Sequence, residues 1–335
     1  MMPVILDVMP ENTYQRMMTP ELEEELATLG IIVHCRNARD LSEAEYGDLW
    51  AQADAVLSGW GVRPPTVAIL DRAPYLKVIS HTAGSVRMFP RYALEKGVVI
   101  TTARAAIARS VAEFCLMNTV MLLRRQLYYV DADPGRKAYL SPNGGKPFSR
   151  TLFEKTVGLI GYGVIARHFR EMLAPFQCRV LVTDPYLTQA EADQHQVERV
   201  EMKTLLQQAQ VVSLHAPELP TTLGMIGASE LALLQTDTVF LNAARGRLVD
   251  TQALTEALQT GRFFAAIDVT DPEPLPPDHP LRALPNVLFT PHIAGPAEDD
   301  LPHLTRMALT DLARVLRGEP PLYPITPEAY DIMSF

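Results

Sequence analysis

The sequence predicts an α/β protein made of two doubly wound parallel sheets, and three observations carry that prediction. The chain has 335 residues, about twice the usual size of one domain. Short β-branched runs alternate with helical patterns almost from end to end, which demands crossover connections and therefore parallel strands. A strand–turn–helix with patterned glycines, TVGLIGYGVIARHF at residues 156–169, lies midway along the chain.

The elements follow in order. Residues 4–8 (VILDV) read as a strand, then a helix with Thr19 as N-cap, Pro20 in its first turn and Gly30 as its stop. Ser42 and Glu45 stand at capping-box spacing, so each can satisfy an orphan amide of a second helix. Residues 55–57, 76–80 and 98–101 are further strands. The stretch 110–130 is apolar on nearly every side, which a soluble protein keeps only by burying it between domains or subunits. Turn formers in DADPG and SPNGGKP, within 131–150, end that helix. A second series of strands is expected at Thr156–Ile160, 180–183, Val211–Leu214, 238–242, 264–268 and 287–290. The last helix, 301–317, stops at Gly318, and the proline-rich tail beyond it drapes over a surface.

Composition narrows the function classes. Apolar residues make up 47% and charged residues 21%, as in an ordinary globular protein. A net charge of -9 offers no basic field to concentrate phosphate, so no nucleic-acid partner is expected. The start MMPVILDVMP lacks a cationic region, which argues against a secretory leader. Glu113, Arg124 and Arg125 interrupt the apolar stretch, and each charge would cost about 2.5–3.5 kcal/mol in hydrocarbon. No membrane span is therefore expected. Cys35, Cys115 and Cys178 form no C-x-x-C pair, which suits a reducing cytoplasm and leaves no disulfide framework or metal site.

Gly161, Gly163 and Ala166 form a G-x-G-x-x-A turn where a strand meets a helix. The first glycine allows the bend, the second lets backbone approach a pyrophosphate, and the small third residue lets helix and strand pack closely. A glycine pattern alone could be only a structural turn. Here Asp184 follows about twenty residues on, at the end of the next strand, as a ribose contact requires. Its carboxylate would accept from both ribose hydroxyls and repel a 2′-phosphate, which favours NAD over NADP.

Three segments further on complete the pattern. FLNAARGRLVD holds Asn242, Arg245 and Asp250; AAIDVTDPEPLPP holds Asp268 and Glu273; LFTPHIAG holds His292. With the glycine turn and SVAEF at 110–114, these resemble the D-isomer-specific 2-hydroxyacid dehydrogenases, the family of D-glycerate and D-phosphoglycerate dehydrogenases. The resemblance covers nearly the whole chain and is strongest from residue 76 to 295.

It implies two Rossmann-like domains with an active-site cleft between them. The substrate domain would comprise 1–107 and 297–335, and the NAD-binding domain 108–296. It also implies a homodimer built on the apolar helix. Cofactor contacts are expected at Gly161, Gly163, Val164, Ile165, Asp184, His215, Ala243, Asp268 and His292. The catalytic set would be Arg245, Glu273 and His292. A guanidinium fork can bind a 2-keto acid's carboxylate bidentately while polarising its carbonyl. An imidazole can donate or accept a proton near neutrality, and a neighbouring carboxylate favours imidazolium and orients the ring. Asn242 and Asp250 read as a strand-end tie and a helix cap.

Substrate contacts are expected at Gly84, Ser85, Val86, Trp60 and Arg245. The chain departs from the family there: the acidic residues that follow the family's turn are absent from HTAGSVRMF, and Ile107 stands where an asparagine is usual. Arg87 and Arg104 could meet a second anionic group or simply be solvated. The expected activity is hydride transfer between NAD(H) and the 2-carbon of a small D-2-hydroxy acid or 2-keto acid. The competing reading is an NAD-sensing interaction protein, resembling co-repressors on the same fold.

Overall fold

A computed structural model describes residues 2–126 and 149–334. The turn-rich stretch expected within 131–150 falls almost wholly outside them. The chain divides into two compact units, Met1–Ile107 with Pro296–Phe335, and Ala108–Gly295.

The first unit holds five parallel strands, β1 (Val4–Asp7), β2 (Ile31–His34), β3 (Ala55–Ser58), β4 (Val78–His81) and β5 (Val99–Thr102), in the order β2-β1-β3-β4-β5. Both faces of this sheet are covered, as a parallel sheet requires. On one side Ile5, Leu57 and Val78 pack against Leu22, Leu26, Leu309 and Leu312 from the helices Pro20–Leu29 and Leu301–Leu316. On the other, Val56, Ile79 and Ile100 meet Tyr46, Trp50 and Phe89. Full burial of each such side chain contributes about 1.5–3 kcal/mol. The expected caps are present: the Thr19 hydroxyl accepts from the Leu22 amide, and Ser42 with Glu45 forms a reciprocal capping box. Several short elements escaped the sequence reading, among them an edge strand and a connecting helix of the first unit. Strand β2 is an edge whose Ile31 is 53% exposed, so it shows no alternation, and the helix Glu11–Met17 is a short connection.

The second unit carries seven parallel strands: β6 (Thr156–Ile160), β7 (Arg179–Thr183), β8 (Glu198–Arg199), β9 (Val211–Leu214), β10 (Val239–Asn242), β11 (Phe264–Ile267) and β12 (Val287–Phe289). Their order is β12-β11-β10-β9-β6-β7-β8. The chain winds outward from β6 in one direction and then returns to wind the other way from β9. The switch point between β6 and β9 is where doubly wound sheets open a crevice at the carboxyl ends of their strands. The apolar helix spans Arg104–Leu123, beginning six residues before the expected start, because RAAIA offers helix formers and no breaker. It buries Val111, Ala112, Cys115 and Leu122.

Candidate active site

The glycine turn is built by backbone proximity. Gly161 has φ +89°, and a Cβ there would lie 2.7 Å from the Ala216 nitrogen and 2.8 Å from the His215 carbonyl oxygen. Only glycine fits both the conformation and the gap. Gly163 is different: a Cβ there would meet nothing within 4 Å. The protein has no packing reason for this glycine, and the space lies where the amides of the helix Val164–Leu173 begin. Such an opening fits a pyrophosphate seated at a helix N-terminus. Val164 and Ile165 are half-buried in its first turn, while Ala166 is fully buried and closes the helix onto the sheet.

Asp184 sits just past β7 with its carboxylate pinned at both ends. Oδ2 accepts the Tyr162 amide and Oδ1 the Tyr186 amide, each at 2.7 Å. The acid is thereby tied to the glycine turn itself, and each oxygen retains a lone pair for a ribose hydroxyl. His215 contributes mainly backbone: its amide donates to the Ile160 carbonyl at 2.7 Å. Burial pushes its ring down to about 4, so it is neutral near pH 7.

The reactive groups stand on the ends of β10, β11 and β12. Asn242 closes the first turn, donating from Nδ2 to the Arg245 carbonyl at 3.0 Å and accepting the Ala244 amide at 3.1 Å. Ala243 is half-buried within that turn. Arg245 is half-buried; burial lowers its guanidinium below the ordinary range, opposed by the field of Glu218 and Glu273. Gly246 lies so close to the next loop that a Cβ would fall 2.0 Å from the Thr270 carbonyl carbon. This contact seats the arginine turn on the loop that carries Glu273. Asp250 caps the helix Thr251–Gln259 through the Ala253 amide.

Glu273 Oε1 and His292 Nδ1 are 2.5 Å apart, both half-exposed. His292 has φ +57°, a left-handed conformation costing about 1–3 kcal/mol for a residue other than glycine. The loop holds it there through Asp268. That buried carboxylate accepts the Thr290 hydroxyl at 2.6 Å and the Ile293 and Ala294 amides at 2.8 and 2.9 Å, while the Asp268 carbonyl takes the His292 amide at 2.8 Å. Asp268, expected as a cofactor contact, is therefore first the anchor of the histidine loop. The sequence reading missed Thr290; a hydroxyl residue two positions before the histidine was the available signal.

The expected substrate residues lie in the first unit and fare differently. The turn after β4 is tied to β5 by the Thr102 hydroxyl, which donates to the Gly84 carbonyl at 2.8 Å. The Ser85 hydroxyl donates to the Ser334 carbonyl at 2.5 Å, and the Val86 amide to Met333 Sδ at 3.2 Å. Val86 is fully buried. Of the three amides expected to meet a substrate at Gly84, Ser85 and Val86, that of Val86 is engaged by Met333 of the chain itself, while at Ser85 it is the hydroxyl that the tail takes up. Gly84 remains half-buried, and the Trp60 side chain is exposed while its carbonyl accepts the Thr13 hydroxyl at 2.9 Å. Arg87 lies 4.9 Å over the Tyr330 ring. Nothing in the sequence pattern signalled that the tail lands on this turn.

Comparison with known proteins identifies the family. Residues 117–294, more than half of the chain, match the family described as D-isomer specific 2-hydroxyacid dehydrogenase, NAD binding domain. The chain is 32% identical over 259 residues to a glyoxylate reductase of Thermofilum pendens, covering 76% of each protein. It is 31% identical over 304 residues to a D-3-phosphoglycerate dehydrogenase of Methanocaldococcus jannaschii, covering 90% of this chain and 57% of that protein. The chain thus spans about half the length of the D-3-phosphoglycerate dehydrogenases it matches. A phosphoglycerate oxidoreductase from Rhizobium etli shares the fold with a TM-score of 0.81 at 24% identity, over 97% of this chain and 99% of that one. A D-lactate dehydrogenase from Lactobacillus jensenii, solved with NAD+, superposes with a TM-score of 0.77 at 24% identity, over 96% and 99%. The chain, with its glycine turn tied to an acid one strand away and its paired histidine and carboxylate, thus belongs to the D-isomer-specific 2-hydroxyacid dehydrogenases, NAD-dependent oxidoreductases acting on the CH–OH group of 2-hydroxy acids.

Proposed function

We propose that His292 is the acid–base of this reaction, Arg245 its substrate-binding cation and Glu273 the positioning partner of His292. The observation that carries the proposal is the 2.5 Å contact between Glu273 Oε1 and His292 Nδ1, on a loop pinned by Asp268. With Nδ1 engaged by the carboxylate, Nε2 is the nitrogen left for a substrate oxygen. NAD, when bound, exchanges a hydride with the 2-carbon. During reduction the imidazolium gives its proton to the carbonyl oxygen, and the keto acid becomes the hydroxy acid. Oxidation takes that proton back. Arg245, desolvated and without a carboxylate at ion-pair distance among the described residues, is ready for a bidentate carboxylate.

Gly161, Gly163, Val164, Ile165, Asp184, His215 and Ala243 are proposed to cradle the cofactor, and Gly84 and Trp60 to contact the substrate. The protein is read as a cytoplasmic homodimer acting on a small 2-keto or 2-hydroxy acid, with no membrane and no nucleic acid among its partners. The test is oxidation of NADH and NADPH with glyoxylate, hydroxypyruvate, pyruvate, phenylpyruvate and phosphohydroxypyruvate. Turnover with NADH on at least one acid is expected, with reduction disfavoured as pH rises because the reaction consumes a proton. Tight NADH binding without turnover on any acid would leave the sensor reading instead.

A further inference from the structure

His292 has a left-handed backbone at φ +57°, which a residue other than glycine keeps only where its surroundings over-determine it. The amides of residues 292–294 all end on Asp268. Its carbonyl takes the His292 amide at 2.8 Å, Oδ1 the Ile293 amide at 2.8 Å and Oδ2 the Ala294 amide at 2.9 Å. Asp268 in turn stands on β10, its own amide donating to the Asn242 carbonyl at 3.0 Å. What fixes the Asp268 carboxylate therefore fixes the histidine.

That carboxylate is buried, with the residue 2% exposed, and its side-chain partners among the described residues are three uncharged donors: the two amides and the Thr290 hydroxyl. A buried charge answered by neutral donors depends on each of them, and losing one leaves it short of a partner. The hydroxyl makes the shortest of the three bonds, 2.6 Å, and shares Oδ1 with the Ile293 amide. Its loss is of the same order as the backbone strain that the ties offset.

Thr290 is also stiffly connected to what it holds. Its amide donates to the Ile267 carbonyl at 3.0 Å, which fixes its height against β11. Branching at Cβ restricts its χ1, and Pro291 after it locks its own φ and presses Thr290 towards extended backbone. The Glu273 side of the pair has separate hydroxyl ties, from Thr270 to the Pro272 carbonyl at 2.9 Å and from Thr251 to the Asp271 carbonyl at 2.8 Å. Removing the Thr290 hydroxyl thus leaves Glu273 in place and loosens the histidine alone.

We infer that Thr290 is a positioning residue of the acid–base: its hydroxyl fixes the Asp268 carboxylate, and through it the turn that presents the His292 ring to Glu273. This rests on the dehydrogenase roles proposed above only where turnover is read. The test compares Thr290→Val, which removes the hydroxyl at nearly constant volume, with Thr290→Ser, which keeps it. Thr290→Ala replaces the valine variant if the extra methyl does not fit where the hydroxyl stood. The hydroxyl-free variant is expected to lose about tenfold in kcat on the best keto acid, the scale of a lost hydrogen bond to a charged group. KM for that acid and NADH affinity should move by no more than about threefold, and serine should recover most of kcat. On the residual activity of His292→Asn, removing the Thr290 hydroxyl should cost nothing further, since residues acting through one another are not additive.

A second readout needs no turnover. In protein carrying 15N-histidine, held in alkaline buffer, the Nδ1 engaged by Glu273 should carry the proton of the neutral ring. Without the Thr290 hydroxyl, the His292 nitrogens, assigned by their loss in His292→Asn, should shift towards the mixed tautomers of a free imidazole. Shifted nitrogens with a kcat loss that serine rescues support the inference. Unshifted nitrogens overturn it, and so does a kcat loss equally large in the His292→Asn background, which would make Thr290 merely structural. Full kcat without the hydroxyl, beside a crippled His292→Asn, overturns it as well. Shifted nitrogens with wild-type turnover in both single variants keep the inference and sink the acid–base role of His292.

Discussion

The two units use the same architectural edge in opposite ways. In the second, the carboxyl ends of the strands present polar groups outward, and each is steadied by backbone of its own neighbourhood: Asp184 by Tyr162 and Tyr186, His292 by Asp268. In the first, polar groups at the equivalent edge are turned inward. His81 is fully buried with Nδ1 2.9 Å from Ser58 Oγ and its ring edge-on to Phe89, while Ser85 and Val86 are taken up by residues 333–334. The second unit's ties join the ends of neighbouring strands, whereas the Ser85 turn is held by a segment 249 residues away.

The largest expected effect tests the outward-facing edge. His292→Asn removes the proton donor and should lower kcat/KM by about a hundred- to ten-thousand-fold. NADH affinity, followed by fluorescence titration, should hold, because the Asp268 ties use the backbone of 292–294 and not the imidazole. A variant with wild-type turnover would remove His292 from the chemistry.

The inward-facing edge makes a prediction about pH. Burial pulls His81 down to about 4, against an ordinary value near 6.5. The unfolded chain takes up this proton below about 6.5 and the folded chain only near 4, so stability falls as pH drops through that window. The loss is at most about 3 kcal/mol from this histidine. Urea unfolding midpoints between pH 7 and 4 should therefore fall less steeply in His81→Gln than in wild type. An unchanged slope would mean that His81 is not what titrates.

The same contrast explains what could be read from the sequence. The central strands of both units are fully buried runs, such as VVSL and VFLN in the second and AVLS in the first, and the second unit's site residues directly follow its strand ends. Caps at Thr19, Ser42 and Asp250 were legible because a capping side chain and the amide it meets are only three residues apart. Thr290 was overlooked because its partner Asp268 follows the neighbouring strand β11, and no spacing motif links the two as the glycine turn links Gly161 to Asp184. The Ser85–Ser334 bond joins residues 249 apart, and no local pattern announces such a pairing.

A smaller effect separates architecture from cofactor binding inside the glycine turn. Gly161→Ala would drive a methyl into the His215 carbonyl at positive φ and should destabilise the second unit. Gly163→Ala meets only open space, so its melting temperature should stay near wild type. If that space belongs to the pyrophosphate, NADH should nonetheless bind about tenfold more weakly, or about 1.4 kcal/mol. Unimpaired NADH binding by Gly163→Ala would place the phosphates elsewhere.

The smallest effect asks whether the tail matters to the turn it covers. A thioether is among the weakest acceptors, so the Val86–Met333 contact should owe more to packing than to the hydrogen bond. The segment has firmer holds: the Tyr330 hydroxyl donates to the Phe89 carbonyl at 2.6 Å, and Arg91 pairs with Asp331 at 2.9 Å. Met333→Ala should thus leave the segment in place but loosen the turn, raising KM for the keto acid about threefold with kcat and NADH affinity unchanged, a fraction of a hydrogen bond in energy. Met333→Leu restores the bulk without the sulfur. Recovery of KM by leucine makes packing the cause, and a defect persisting in leucine makes it the acceptor. A KM unmoved in the alanine variant would show that the turn's shape is set by β4 and β5 alone.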